Sequence, residues 1–251
     1  MTLHDKREIS KMSLNIFTLD QYNRFEQPAN TVIQQLKKEL ENIFLKIIEL
    51  KNVKIELAEW EQIMQSADGS QDNLDLQLRS QHTDLMYITG ELSAFEEMKI
   101  IYAFKHLEIT IKQLISDAYP GISTKKFYNW DILFEFLNTK LINSKQLEGY
   151  NEVNQLRLVN NCIKHSEIIT SEIQNIPEFN QQECLSYTDL GKFYERVKTA
   201  PNRFLTSLSS VIYTELYEFD ELKLNEIVNS FVLRMDEKTA KKFGQELLSH
   251  Y

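Results

Sequence analysis

Residues 98–118 read MKIIYAFKHLEITIKQLISDA and decide the fold class. Apolar residues fall on nearly every face of a helix drawn over this stretch, which is typical of a helix in the middle of a bundle. The sequence YPG follows at 119–121 and predicts that this helix ends there. Because charged residues interrupt the apolar run, the stretch does not predict a membrane span, and we expect no membrane association.

The scarcity of turn-forming residues points the same way. The chain of 251 residues contains 6 Gly and 4 Pro, whereas average usage would give about 30 of these two residues together. A β-sandwich or barrel needs a turn about every 8–12 residues, and this chain has too few Gly and Pro residues for that many turns. The composition therefore predicts an all-α protein with long helices.

Apolar spacing predicts where the helices lie. Residues 30–65 contain no Gly or Pro and place apolar residues at steps of three, four and seven, which predicts a helix of about 35 residues. A polar linker at 66–75 and a second helix up to residue 118 complete a long N-terminal two-helix hairpin. Shorter helices are predicted at 127–141, 150–166, 183–198, 201–217 and 224–250. Residues 1–29 show no clear apolar period, so we expect an irregular arm that packs through Phe17, Leu19, Tyr22 and Phe25. We expect residues 30–251 to form a single helical domain.

Charge and cysteine content limit the functional classes. The formal net charge is −9, so any nucleic-acid contact has to be local. The two cysteines, Cys162 and Cys184, form no disulfide or zinc pattern, which favours a reducing compartment, and with no signal peptide predicted we expect the cytoplasm. Nucleotide-loop and metal-binding motifs are absent from the sequence, so we expect neither a cofactor nor a metal.

One segment concentrates polar chemistry, namely residues 156–165 with the sequence LRLVNNCIKH. On a helix its apolar residues share one arc, while Arg157, Asn161 and His165 stand at i, i+4 and i+8 on the opposite arc. This spacing predicts that the three side chains converge on one small ligand group. Asn160 and Lys164 flank them and are predicted to bind the substrate.

The surroundings of this segment are more basic than the rest of the chain. Residues 124–166 contain six basic and four acidic side chains, although the whole chain is acidic. Lys125 and Lys126 belong to this basic region and are further candidate substrate-binding residues. A locally positive surface of this kind is typical of a site for phosphate groups.

Arginine, asparagine and histidine together suit RNA cleavage without a metal. The His165 imidazole can take the proton of a 2′-hydroxyl or donate one to the leaving oxygen. The Arg157 guanidinium matches phosphate oxygens, and the Asn161 amide can orient either group. Since simultaneous acid and base catalysis needs two groups and this face has one histidine, a symmetric dimer is expected to supply the second.

The segment LRLVNNCIKHS at 156–166, preceded by FKHLE at 104–108, resembles the HEPN superfamily of small all-α domains. The resemblance implies a HEPN-like core at about 80–215 and a dimeric, metal-independent endoribonuclease of the toxin–antitoxin or antiphage type. It implies that Arg157 takes the arginine role, Asn161 or Asn160 the polar role, and His165 the histidine role. Seven residues separate Arg157 from His165 here, against four to six in the usual family motif.

Two other functions fit the same sequence. A non-catalytic helical interaction or regulatory module would use the hairpin at 30–118 to bind a partner chain. A purely structural homodimer would use the motif for assembly alone. The expected partners are thus a second copy, an RNA substrate, and an antitoxin or regulatory protein.

Overall fold

The computed structural model describes residues 3–17, 24–64, 70–127, 129–140, 142–165 and 169–250. All regular secondary structure within these ranges is helical, and the predicted all-α helical bundle is confirmed. The helices are α1 (Leu3–Ile16), α2 (Glu26–Met64), α3 (Ser70–Ala118), α4 (Trp130–Thr139), α5 (Tyr150–His165), α6 (Ser171–Gln174), α7 (Tyr187–Val197), α8 (Ala200–Tyr217), α9 (Glu221–Val232) and α10 (Glu237–Ser249). Short 3₁₀ turns occupy Thr124–Lys126, Ser144–Gln146 and Pro177–Phe179. No helix in the described ranges is both long and apolar enough to cross a membrane.

The chain divides into two compact units, whereas the sequence predicts one domain over 30–251. The first unit comprises Met1–Gln21, His106–Val153 and Thr199–Tyr251, and the second comprises Tyr22–Lys105 and Asn154–Lys198. Helix α3 has 49 residues, and at 1.5 Å per residue it is about 74 Å long. A helix of this length exceeds the diameter of a single small core, so its two ends contribute to different cores.

The first unit is built around the C-terminal part of α3. Leu107, Ile111 and Leu114 are fully buried there, together with Phe204 and Leu208 of α8. The stretch on which the fold prediction depends therefore lies inside a core, as its all-round apolarity predicts.

The prediction of an irregular arm over 1–29 is wrong for residues 3–16, which form α1. This segment contains no Gly or Pro, and Leu14 within it and Phe17 directly after it are buried in the first core. The Ser209 hydroxyl on α8 donates a hydrogen bond to the Leu14 carbonyl oxygen at 2.8 Å. Helix α1 is thus stabilised by tertiary contacts, which a short-range pattern does not reveal.

The predicted arm also includes the start of α2 and the residues just before it. Helix α2 begins at Glu26, four residues earlier than predicted, and Phe25 stacks on Tyr102 with ring centroids 4.7 Å apart. Leu19 and Tyr22, which were predicted to pack within the arm, lie outside the described residues.

The second unit contains the predicted two-helix hairpin. Ile33, Leu36 and Leu40 of α2 are buried in one cluster with Leu92 of α3. Residues 70–75, predicted as part of the linker, form the first turns of α3, while 65–69 lie outside the described residues. The apolar spacing of α2 therefore identified the face that packs in the hairpin.

The C-terminal prediction of one helix over 224–250 is wrong. Two helices, α9 and α10, lie there, although neither Gly nor Pro separates them. The Asp236 side chain accepts a hydrogen bond from the Thr239 amide at 2.7 Å and caps α10. This cap satisfies an otherwise unpaired N–H group and makes a new helix start favourable without a breaker residue.

Candidate functional site

The candidate site lies on α5, whose start depends on a glycine. Gly149 precedes α5 with a φ of +78°, a conformation that favours glycine. A Cβ atom at this position would lie 2.8 Å from the Ala200 carbonyl oxygen of α8. Both the backbone angle and the close approach therefore require glycine where α5 begins.

Helix α5 has one buried face and one accessible face. Leu156, Val159 and Cys162 are buried, whereas Asn161 and His165 are exposed and Arg157 is half-buried. The buried apolar face determines which way the helix is turned, so the Arg157, Asn161 and His165 positions lie along its accessible side. We refer to these three residues as the α5 stripe.

Arg157 is held by a residue that the sequence analysis did not identify. Its Nε and Nη2 atoms both donate to the Asn154 Oδ1 atom, at 3.1 and 3.0 Å. Two hydrogen bonds to one oxygen fix the plane of the guanidinium and leave its Nη1 edge for other partners. Asn154 is therefore a positioning residue for Arg157.

The α5 stripe is extended along the helix. Eight residue steps separate Arg157 from His165, which corresponds to about 12 Å along the helix axis. Asn154 lies one turn N-terminal of Arg157, so the guanidinium bound to it is directed away from His165. One copy of α5 thus presents a line of polar groups rather than the compact cluster that the spacing predicts.

Asn160 occupies a different environment from the one predicted. The sequence placed it beside the α5 stripe as a substrate-binding residue, but its side chain is 1% exposed. Its Nδ2 atom donates to the Asn161 Oδ1 atom at 3.3 Å, while its own Oδ1 atom has no partner among the described residues. Asn160 is placed to orient the Asn161 amide, because it donates to the Asn161 Oδ1 atom from the buried side of α5.

The candidate lysines lie in two parts of the molecule. Lys164 is exposed at the C-terminal end of α5 in the second unit, beside His165. Lys125 and Lys126 are exposed on the 3₁₀ turn Thr124–Lys126 of the first unit. Positive charge near a helix C-terminus is energetically favourable, so the position of Lys164 is explained without a bound ligand.

A fixed ion pair lies beside α5 within the second unit. The Arg196 guanidinium of α7 donates to both carboxylate oxygens of Glu178 at 2.7 and 2.8 Å, and to the Gln155 Oε1 atom of α5 at 3.0 Å. The hydrogen bond from Arg196 holds the pKa of the Glu178 carboxyl below its ordinary value. Arg196 thereby joins α7 and the 3₁₀ turn before it to the flank of α5.

A buried ion pair on α3 was not predicted from the sequence. The Lys99 Nζ atom lies 3.0 Å from the Glu96 Oε2 atom, and both side chains are buried. The available signal was a Glu and a Lys three residues apart on α3. Within the described residues, no group of three or more His, Cys, Asp or Glu side chains is arranged to hold a metal ion.

Comparisons with known proteins identify no relative: no family model, no curated protein and no solved structure matches this chain.

Proposed function

We propose that this chain is a HEPN-like, metal-independent endoribonuclease or an effector derived from one, and that RNA contacts the α5 stripe. The observation that supports the proposal most is the exposure of Asn161 and His165 on a helix whose opposite face is buried. The burial of Leu156 and Val159 keeps the stripe accessible, and the fixed Arg157 adds a phosphate-binding cation.

The chemistry needs no group beyond these side chains and a second copy. One His165 imidazole takes the proton of the 2′-hydroxyl while the 2′ oxygen bonds to phosphorus and the bond to the 5′ oxygen breaks. A second, protonated His165 donates a proton to the leaving 5′ oxygen. The Arg157 guanidinium stabilises the charge on the phosphate oxygens, and the Asn161 amide orients the phosphate.

A second copy is part of the proposal because the stripe is long and carries one histidine. With about 12 Å between Arg157 and His165 along the axis, one chain does not enclose a single phosphate. Two α5 helices packed about a twofold axis would bring the His165 imidazoles of both protomers to one cleft.

Cleavage of RNA in the presence of EDTA tests the proposal. We expect the wild-type chain to cut RNA and His165→Ala to lose about 10²- to 10⁴-fold in rate. His82→Ala is the matched control, because His82 is an exposed histidine on α3 of the same unit. Equal rates for wild type and His165→Ala would refute the assignment of His165.

A second candidate function, a non-catalytic interaction module, is favoured by one observation on α2. Phe44, Ile48 and Ile55 fall within about 40° of one another around the helix, and their side chains are 47, 54 and 58% exposed. An exposed apolar stripe of this kind is typical of an interaction surface. This candidate predicts that Phe44→Asp and Ile48→Asp abolish complex formation while His165→Ala changes no measured property.

A further inference from the structure

The second unit contains a cavity whose walls come from α2, α3 and α7. Its volume is about 720 Å³, which lies within the range of roughly 300–1,000 Å³ that is usual for small-molecule sites. Lys37 of α2, Glu96 and Lys99 of α3, and Lys192 and Glu195 of α7 all line it. The cavity thus combines adequate size with several charged groups.

Two of these charged side chains are removed from solvent. Glu96 is 3% exposed and Lys99 is 2% exposed, with Nζ and Oε2 3.0 Å apart. The Lys99 Nζ atom also lies 4.4 Å from the centre of the Tyr194 ring. Removing such a pair from solvent costs desolvation energy, so its burial is weak support for a role in stability.

Gly191 of α7 brings the backbone close to this pair. A Cβ atom at position 191 would lie 3.1 Å from the Glu96 Oε1 atom. The absence of a side chain there lets the Glu96 carboxylate sit between α3 and α7 on the cavity wall. A larger residue would displace the carboxylate, and with it the Lys99 ammonium.

The acidic and basic side chains that line the cavity differ in how completely neighbouring charges neutralise them. Glu96 is paired with Lys99, and Glu195 lies 2.6 Å from the Lys198 ammonium. Lys192 is 71% exposed and is 3.4 Å from Asp189, while the described residues include no ion-pair partner for Lys37. The carboxylates of the cavity are therefore neutralised more completely than its ammonium groups.

We propose that this cavity binds an anionic small molecule that carries phosphate or carboxylate groups. Lys37 and Lys192 provide ammonium donors near the solvent, and Lys99 provides one deep in the cavity. An ammonium has three N–H donors and no acceptor, so it selects anionic oxygens. The side-chain amides of Asn30 and Gln34 line the same cavity and add further donors.

Isothermal titration calorimetry of the full chain tests this site with adenosine monophosphate, adenosine and citrate. We expect a phosphate-bearing or carboxylate-bearing compound to bind and adenosine to give no heat. Lys37→Ala should weaken binding about tenfold, since a charge-assisted hydrogen bond is lost. Lys38→Ala is the matched control because Lys38 is an exposed lysine one position further along α2.

Four results would overturn the proposal. One is a folded protein that binds neither anion at millimolar concentration. Another is equal affinity for adenosine and adenosine monophosphate, and the third is equal weakening by Lys37→Ala and Lys38→Ala. Binding of an RNA strand, weakened by Lys37→Ala, together with no binding of either small anion would overturn it as well.

Two further variants separate this site from folding and from the α5 stripe. Gln34→Trp places a large side chain on the cavity wall without changing its charge, and we expect it to prevent binding while the protein remains folded. His165→Ala should bind the anion as tightly as wild type does. The calorimetric test of the cavity therefore does not depend on whether the protein cleaves RNA.

Discussion

The α5 stripe and the Glu96–Lys99 pair place polar groups in opposite settings. Asn161 and His165 of the stripe are exposed along a helix, whereas the side chains of Glu96 and Lys99 are buried and in direct contact at 3.0 Å. The exposed groups are free to meet a second chain or an RNA, while the buried pair is already assembled inside one unit. A surface stripe therefore depends on a partner to become a site, and a buried pair depends only on the fold.

The largest expected effect comes from breaking the buried pair. Lys99→Met leaves the Glu96 carboxylate buried without a counter-ion, so we expect a loss of about 3–5 kcal/mol in the free energy of unfolding. Urea denaturation at neutral pH measures it. The double variant Glu96→Leu, Lys99→Met should recover most of this loss, because no uncompensated charge remains.

The matched control is a pair with the same sequence spacing whose lysine is exposed. Lys192 and Asp189 are also three residues apart, with 3.4 Å between Nζ and Oδ1, and the Lys192 side chain is 71% exposed. Lys192→Met should cost at most about 1 kcal/mol, since an ion pair whose ammonium group is in solvent contributes little. Equal losses in the free energy of unfolding for Lys99→Met and Lys192→Met would show that burial does not make the Glu96–Lys99 pair different.

The second prediction concerns the glycine at the start of α5. Gly149→Ala combines a strained backbone angle with a clash against the Ala200 carbonyl oxygen, and we expect a loss of about 1–3 kcal/mol. Gly90→Ala is the comparison, because no atom lies within 4 Å of its added Cβ on helix α3. Thermal unfolding should show that Gly90→Ala stabilises the chain by roughly 0.5–1 kcal/mol, and stabilisation by Gly149→Ala would contradict the account.

The third prediction tests whether Asn154 positions Arg157. Asn154→Ala removes the oxygen that accepts from Nε and Nη2, and we expect kcat/KM for RNA cleavage to fall about tenfold. Asn154→Asp keeps an acceptor and should retain most of the activity. A purely structural role for Asn154 predicts instead that both variants change stability and that the cleavage rate per folded molecule stays constant.

The smallest effect is expected at the Glu178–Arg196 ion pair. Because the folded-state pKa of Glu178 is lowered, the pair stabilises the protein above the ordinary glutamate pKa, and this contribution disappears as the pH falls through the lowered value. Arg196→Ala should cost about 1 kcal/mol at pH 7 and less at strongly acid pH. A cost that does not shrink on acidification would show that Arg196 acts through Gln155 and packing alone.

Much of the fold follows from short-range patterns in the sequence. The shortage of Gly and Pro and the spacing of Leu36 and Leu40 correctly predict an all-α bundle with a long hairpin. The break between α9 and α10 was missed because a side-chain cap at Asp236, not a breaker residue, produces it. Helix α1 was missed because its stability comes from contacts such as the one between Ser209 and Leu14.

The candidate site was predictable in part. Helical spacing correctly places Arg157, Asn161 and His165 on the side of α5 opposite the buried Leu156 and Val159. Spacing within one helix cannot show that Asn160 is buried, since that depends on the helices packed around α5. The cavity near Lys99 was missed for the same reason, because α2, α3 and α7 meet there only in the folded chain.

Mixing wild type with His165→Ala tests the central claim, an RNA site on the α5 stripe that needs His165 from both protomers, most directly. When equal amounts are refolded together, about a quarter of the dimers are wild type, about half are mixed and about a quarter lack His165. Because a mixed dimer contains one His165 and the reaction needs two, we expect RNA cleavage in EDTA at about a quarter of the rate of the same total amount of wild-type dimer. A rate of about one half, which is expected when each protomer acts on its own, would contradict the account.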